Sequence, residues 1–218
     1  MNGMSRFLVG VPLALLLGNL WAANALARPA CLDDPARAHE LRVLDEAQIT
    51  DLVAHNTVRA VPDKLLHMLH ELVAASPRLR TGPAIHLLAY DDPELNAYAA
   101  DHGLVILTSA LWSARAGLSD DELAAVIAHE LAHIEGRDAL VEACGLLQRL
   151  DAPDLSIEAA RERVAPALFH PRSEAAEAAR ELLHAQEHAA DLRAIELLHL
   201  TGRNPYAMGT ALGRIHGG

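Results

Sequence analysis

Apolar residues return at helical and then at strand spacing along this chain, and the changes of period divide it into elements. Leu65, Leu66, Leu69, Leu72 and Val73 recur three and four apart, predicting a helix over 63–75 opened by Pro62 and Asp63. A helix is also expected before it, over 45–59. Pro77 and the Thr81-Gly82-Pro83 cluster interrupt the pattern. Two short apolar runs follow, Ala84 to Tyr90 (AIHLLAY) and Gly103 to Thr108 (GLVILT), separated by an Asp91-Asp92-Pro93 turn. Both read as strands, and they are expected to pair antiparallel across the intervening segment as a small sheet.

From Ser119 onward the period is helical. Ser119 and Glu122 form an S-x-x-E capping box, and Asp120 and Asp121 add negative charge at the positive end of the helix dipole. That helix should run to about Glu135 and stop at Gly136. A second long helix is expected from about Ser173 to about Leu200, closed by Gly202, with Pro153, Pro166 and Pro171 breaking the stretch between. The fold class is therefore α+β, mostly α.

The first 27 of the 218 residues have a different pattern: Arg6, an apolar run from Phe7 to Leu20, then Ala25 and Ala27 in A-x-A spacing. These are the three regions of a secretory signal peptide cleaved near Ala27, and the competing reading is an uncleaved anchor. Residues 28–218 would then form one domain, exported to the periplasm or secreted. Arg28-Pro29-Ala30 before Cys31 is a poor match to a lipidation site. No later apolar stretch is long enough to span a bilayer.

Charge narrows the partners. Twenty-nine acidic against eighteen basic residues give a net charge of −11, and removing Arg6 with the leader makes it −12. Nucleic acid and anionic lipid both demand a basic face, so neither is expected as a partner. The two cysteines, Cys31 and Cys144, leave two readings open: export favours pairing them, whereas Cys144 in its apolar helical stretch also suits an unpaired buried thiol. Without C-x-x-C spacing they do not form a zinc site.

The chemistry lies on the two long helices. His129-Glu130-Leu131-Ala132-His133 is an H-E-x-x-H motif within the capped helix. Positions four apart share a face, so both imidazoles can bind one Zn²⁺, and Glu130 can act as general base toward the attacking water. Random placement of this chain's histidines and glutamates would yield the pattern in roughly one such chain in twenty. The surroundings make chance less attractive. Leu123, Val126, Ile127, Leu131 and Ile134 make the helix apolar, and histidines buried there need a partner. In the late helix, Glu187 shares a stripe with Leu183, Ala190 and Ala194, so it should face inward as a third ligand, leaving one coordination position open. Asp191, one turn on, can accept the free ring N–H of a liganding histidine.

Three blocks in this order resemble the HtpX and CAAX-prenyl-protease group of gluzincin metallopeptidases. They are Asn96-Ala97-Tyr98 followed by Gly103 to Ser109, Leu118 to His133, and Glu187-x-x-Ala190-Asp191 followed by Gly202-x-Asn204-Pro205. The resemblance covers roughly residues 84–210. It implies a zincin-like single domain, with the small antiparallel sheet packed on the active-site helix. It also implies one Zn²⁺ per chain on His129, His133 and Glu187, with Glu130 as base and Asp191 behind a ligand. By the same resemblance, Asn96 and the strand Gly103, Leu104, Val105, Ile106 and Leu107 would bind an extended polypeptide substrate by main-chain pairing. His170 and His216 are oxyanion candidates by residue type alone.

The other histidines have plainer readings. His184 and His188, and likewise His67 and His70, are expected at the surface, as are Glu174, Glu177 and Glu181. Arg137 and Asp138 are expected to make local ion pairs. The leading functional expectation is an endopeptidase acting on unfolded or misassembled envelope proteins, with other envelope proteins as partners. Two other classes are a zinc-binding, chaperone-like module that holds polypeptides without cleaving them, and a fold merely stapled by zinc.

Overall fold

A computed structural model describes residues 30–168 and 173–216; the signal-peptide reading and His170 fall outside them. Eight helices and four strands are present among those residues. After a 3₁₀ turn at Ala30–Asp33 come α1 (Pro35–His55), β1 (Val58–Arg59), α2 (Asp63–Ala75), α3 (Pro77–Thr81), β2 (His86–Tyr90), β3 (Ala97–Ala100) and β4 (Leu104–Thr108). A further 3₁₀ turn (Ser109–Trp112) leads to α4 (Asp120–Gly136), α5 (Asp138–Arg149), α6 (Ile157–Leu168), α7 (Glu174–Leu200) and α8 (Ala207–His216). None of these helices is long and apolar enough to cross a membrane.

Helix α4 is the centre of the main core. Leu123 to Leu131 are buried without interruption, and a helix buried on every side has no solvent face to keep polar. It packs against α2, α7, α8 and β3. Its start is fixed as the sequence indicates: Ser119 Oγ accepts from the Glu122 N–H, while the Glu122 carboxylate accepts from the Ser119 N–H at 2.7 Å. Helix α2 contributes Leu65, Met68, Leu69 and Leu72 to the same core, at the spacing that predicts it.

A second core joins α1, α5 and α6 through Leu41, Leu140, Ala143, Leu146, Leu147, Ile157 and Val164. Cys31 and Cys144 are disulfide-bonded within it, across 113 residues of sequence. Helix α1 begins ten residues before the expected 45, because Asp34 caps it and Pro35 suits its first turn. It also stops earlier, and residues 58–59 become a strand. Pro166 does not break α6 but lies near its end.

The sheet corrects two expectations. Its order is β1-β2-β4-β3, and β2 pairs with β4 in parallel, His86 opposite Leu104 through Tyr90 opposite Thr108. The antiparallel partner of β4 is β3, an alanine-rich strand whose composition hides it from a reading by β-propensity. Asp101 to Gly103 form the reversal between them. Gly103 has φ 103°, and a side chain there would meet the Ala84 carbonyl oxygen at 2.3 Å, so glycine is required twice over. Since β2 and β3 occupy both edges of β4, residues 104–107 have no free edge for a substrate strand. Gly103 is likewise committed, its carbonyl accepting from the His86 N–H. Among the described residues β3 is the edge strand beside α4, paired on one side only.

An ion pair clamps α7 to α4. The Arg193 guanidinium donates to both oxygens of Glu135, whose side chain is 3% exposed, and the Ser76 hydroxyl donates to the same carboxylate. Removing one partner strands the other in a desolvated place. Arg193→Met is therefore expected to lower stability by about 3 kcal/mol in urea unfolding. A change below about 0.5 kcal/mol would show that the pair contributes no more than a surface one.

Two desolvated acids near the second core contribute to pH dependence. Burial pushes Glu142 up to about 8 despite the charge of Arg161, with Asp101 and Asp138 adding repulsion. Burial likewise pushes Asp101 up to about 7, partly offset by backbone N–H groups of α5. Both folded values exceed the ordinary carboxylate range, so between about pH 5 and 8 these two groups hold more protons in the folded chain than in the unfolded one. Stability contributed by these groups is complete at the acid end and is lost as pH rises through those values. Chelator-treated protein should thus unfold at lower urea at pH 8 than at pH 5.5. In Glu142→Gln the difference should shrink measurably, whereas an unchanged difference would rule out Glu142 as its source.

Candidate active site

Three helices build the site around two imidazoles. His129 and His133 lie one turn apart on α4, and their Nε2 atoms converge to 3.0 Å. From α7, Glu187 places Oε2 3.2 Å from His129 Nε2 and Oε1 3.7 Å from His133 Nε2. Ligand atoms 2.0–2.1 Å from a tetrahedral zinc lie about 3.3 Å from one another, so these three side chains match the spacing such an ion requires. They are the group that could hold a metal among the described residues. Half-open placement suits access: the Glu187 side chain is 44% exposed, whereas His129 and Glu130 are 9% and 8% exposed.

The far side of each ring rests on a carboxylate. Asp191 Oδ1 lies 3.0 Å from His129 Nδ1, and Asp138 Oδ2 lies 2.7 Å from His133 Nδ1. These bonds assign the ring hydrogens to Nδ1, which turns both Nε2 lone pairs toward one another. Two lone pairs at 3.0 Å repel unless a cation lies between them, so the donor set fits a metal. The electrostatics agree. Burial lowers the proton affinity of His129, but the hydrogen bond its ring donates to Glu187 and the charges of Glu130, Glu187 and Asp191 outweigh it, raising the value to about 8. His133 is also raised against its burial, chiefly by its bond to Asp138 and the charge of Glu130. The pocket attracts positive charge.

Glu130 projects from the same turn into a dry environment. Burial raises its proton affinity, while the charges of both imidazoles oppose the shift. A carboxylate so placed holds a proton more readily than one in water.

Asp138, expected to make a local ion pair, makes it with His133, and that partner brings it into the site. Arg137, in the left-handed conformation at φ 56°, turns the chain sharply between α4 and α5 and donates to the Leu32 carbonyl. That turn carries Asp138 back under His133. Gly136 is the last residue of α4, and a side chain there would meet Asp138 Oδ1 at 2.5 Å. A glycine followed two residues later by an acid, just past the second histidine, was the available signal. His67, His70, His184 and His188 are exposed, as are Glu177 and Glu181. The side chains of Glu174 and His216 lie outside the description. Asn96 precedes β3, where its amide donates to the Tyr98 hydroxyl at 2.6 Å and its Oδ1 accepts from the Ala97 N–H.

An H-E-x-x-H helix facing a carboxylate from a second helix, beside a small sheet, defines a zincin-type metallopeptidase architecture. The profile of peptidase family M48 matches residues 61–216, and the chain belongs to that family of zinc metallopeptidases.

Proposed function

We propose that the protein is a zinc-dependent endopeptidase of the cell envelope, exported by residues 1–27, that hydrolyses unfolded or misassembled polypeptides. The observation that carries the chemistry is the convergence of His129 Nε2, His133 Nε2 and a Glu187 carboxylate oxygen on one point, with Glu130 buried on the same helix.

Zn²⁺ bound there, one per chain, would supply a Lewis acid that polarises the scissile carbonyl and acidifies water. Glu130 takes the proton of the attacking water and passes it to the departing amine nitrogen, and its raised proton affinity suits both halves of that task. Asp191 and Asp138 hold the rings in the tautomer that keeps each Nε2 free. Substrate lies extended along β3, paired through main-chain groups of Ala97 to Ala100, with Asn96 bracing the strand's beginning. Main-chain pairing selects for extended, unfolded chains more than for particular side chains.

Cleavage of casein by the purified protein tests this reading. Activity should disappear with a chelator and return with stoichiometric Zn²⁺. Zinc-loaded protein that cleaves no unfolded substrate would favour a polypeptide-holding module instead.

A further inference from the structure

The first turn of α5 is where the substrate edge and the metal centre meet. Helix α5 has no side-chain cap of its own, because Arg137 occupies the cap position. The missing acceptor comes from the reversal between β3 and β4: Asp101 Oδ2 accepts from the Leu140 N–H at 2.9 Å. The same turn of helix carries Asp138, which holds His133. It is tied on another side to α7, where Gln186, the neighbour of Glu187, donates to the Asp138 carbonyl at 3.0 Å.

We propose that Asp101 is a positioning residue for the metal centre, setting the first turn of α5 so that Asp138 meets His133 and thereby joining the β3–β4 hairpin to a metal ligand. The proposal rests on the zinc site described above. Capping from a hairpin is needed here because the left-handed turn at Arg137 lets α5 start only two residues after α4 ends, leaving its first N–H groups without local acceptors. When the hairpin shifts, the turn shifts with it, and Asp138 loses its reach. Second contacts of this kind behind a zinc ligand alter affinity by about 10- to 100-fold.

A double-mutant cycle read by zinc affinity, in competition with a chelating dye, tests the linkage without using activity. Asp138→Ala should weaken binding about 10- to 100-fold, and Asp101→Ala about tenfold. If Asp101 acts through Asp138, the double variant binds no more weakly than Asp138→Ala alone. An affinity for Asp101→Ala within twofold of wild type overturns the proposal, as does a double variant whose loss equals the product of the single losses. Should Asp101→Ala fail to fold by circular dichroism, Asp101→Asn enters the same cycle. A loss of at least threefold that vanishes in the Asp138→Ala background supports the proposal, and any other result overturns it. Wild-type protein that binds no zinc would remove the metal centre itself, an outcome distinct from normal wild-type binding with an inert Asp101.

Discussion

Glu130→Gln is expected to reduce casein hydrolysis by on the order of a thousandfold while zinc content stays near one per chain. The substitution keeps the size of the side chain and removes its ability to accept the water's proton. Glu130 is not among the three side chains that converge on the metal position, so binding should survive. Its burial matters to the result: in a dry pocket no solvent base can replace the lost carboxylate, and rescue by buffer should be small. Residual activity within tenfold of wild type would assign proton transfer to another group. Loss of zinc along with activity would mean that Glu130 holds the site together.

Glu187→Ala should drop zinc content from about one per chain toward none, measured by elemental analysis after gel filtration. Two imidazoles alone leave a zinc ion underliganded, and the site would also lose the negative charge that most directly faces both rings. The variant should stay folded, since Glu187 is half exposed and the buried residues of α7 include Ala176, Ala190, Ala194, Leu197 and Leu198. This separates catalysis from a structural role for zinc. If the ion merely stapled the fold, Glu187→Ala and chelation would both unfold the protein rather than silence it. Full zinc content in Glu187→Ala would refute the assigned third ligand.

Much of this arrangement is legible from local pattern. The capping box at Ser119 and the apolar positions of the helix behind it, Leu123, Val126, Ile127, Leu131 and Ile134, are features within a single helix, and each has its expected place. Sheet topology was less accessible. The β3 strand is four residues dominated by alanine, held by its pairing with β4 rather than by its own propensity, so the pairing of β2 with β4 came out parallel instead of antiparallel. Residues 103–107, expected to pair with substrate, are flanked by β2 and β3, and the open edge proposed for it is instead 97–100. The partner of Asp138 escaped for a related reason. The acid's position depends on one left-handed residue, Arg137, which is not itself a glycine although Gly136 stands beside it. The disulfide was undecided because sequence does not bring two positions 113 residues apart into contact; the packing of α1, α5 and α6 does.

The most direct test is anomalous diffraction at the zinc edge from crystals of the zinc-loaded protein. A single strong peak about 2.0–2.2 Å from His129 Nε2, His133 Nε2 and a Glu187 oxygen is the expected result. A peak on other side chains, or none between these three in protein shown to contain zinc, would contradict the account.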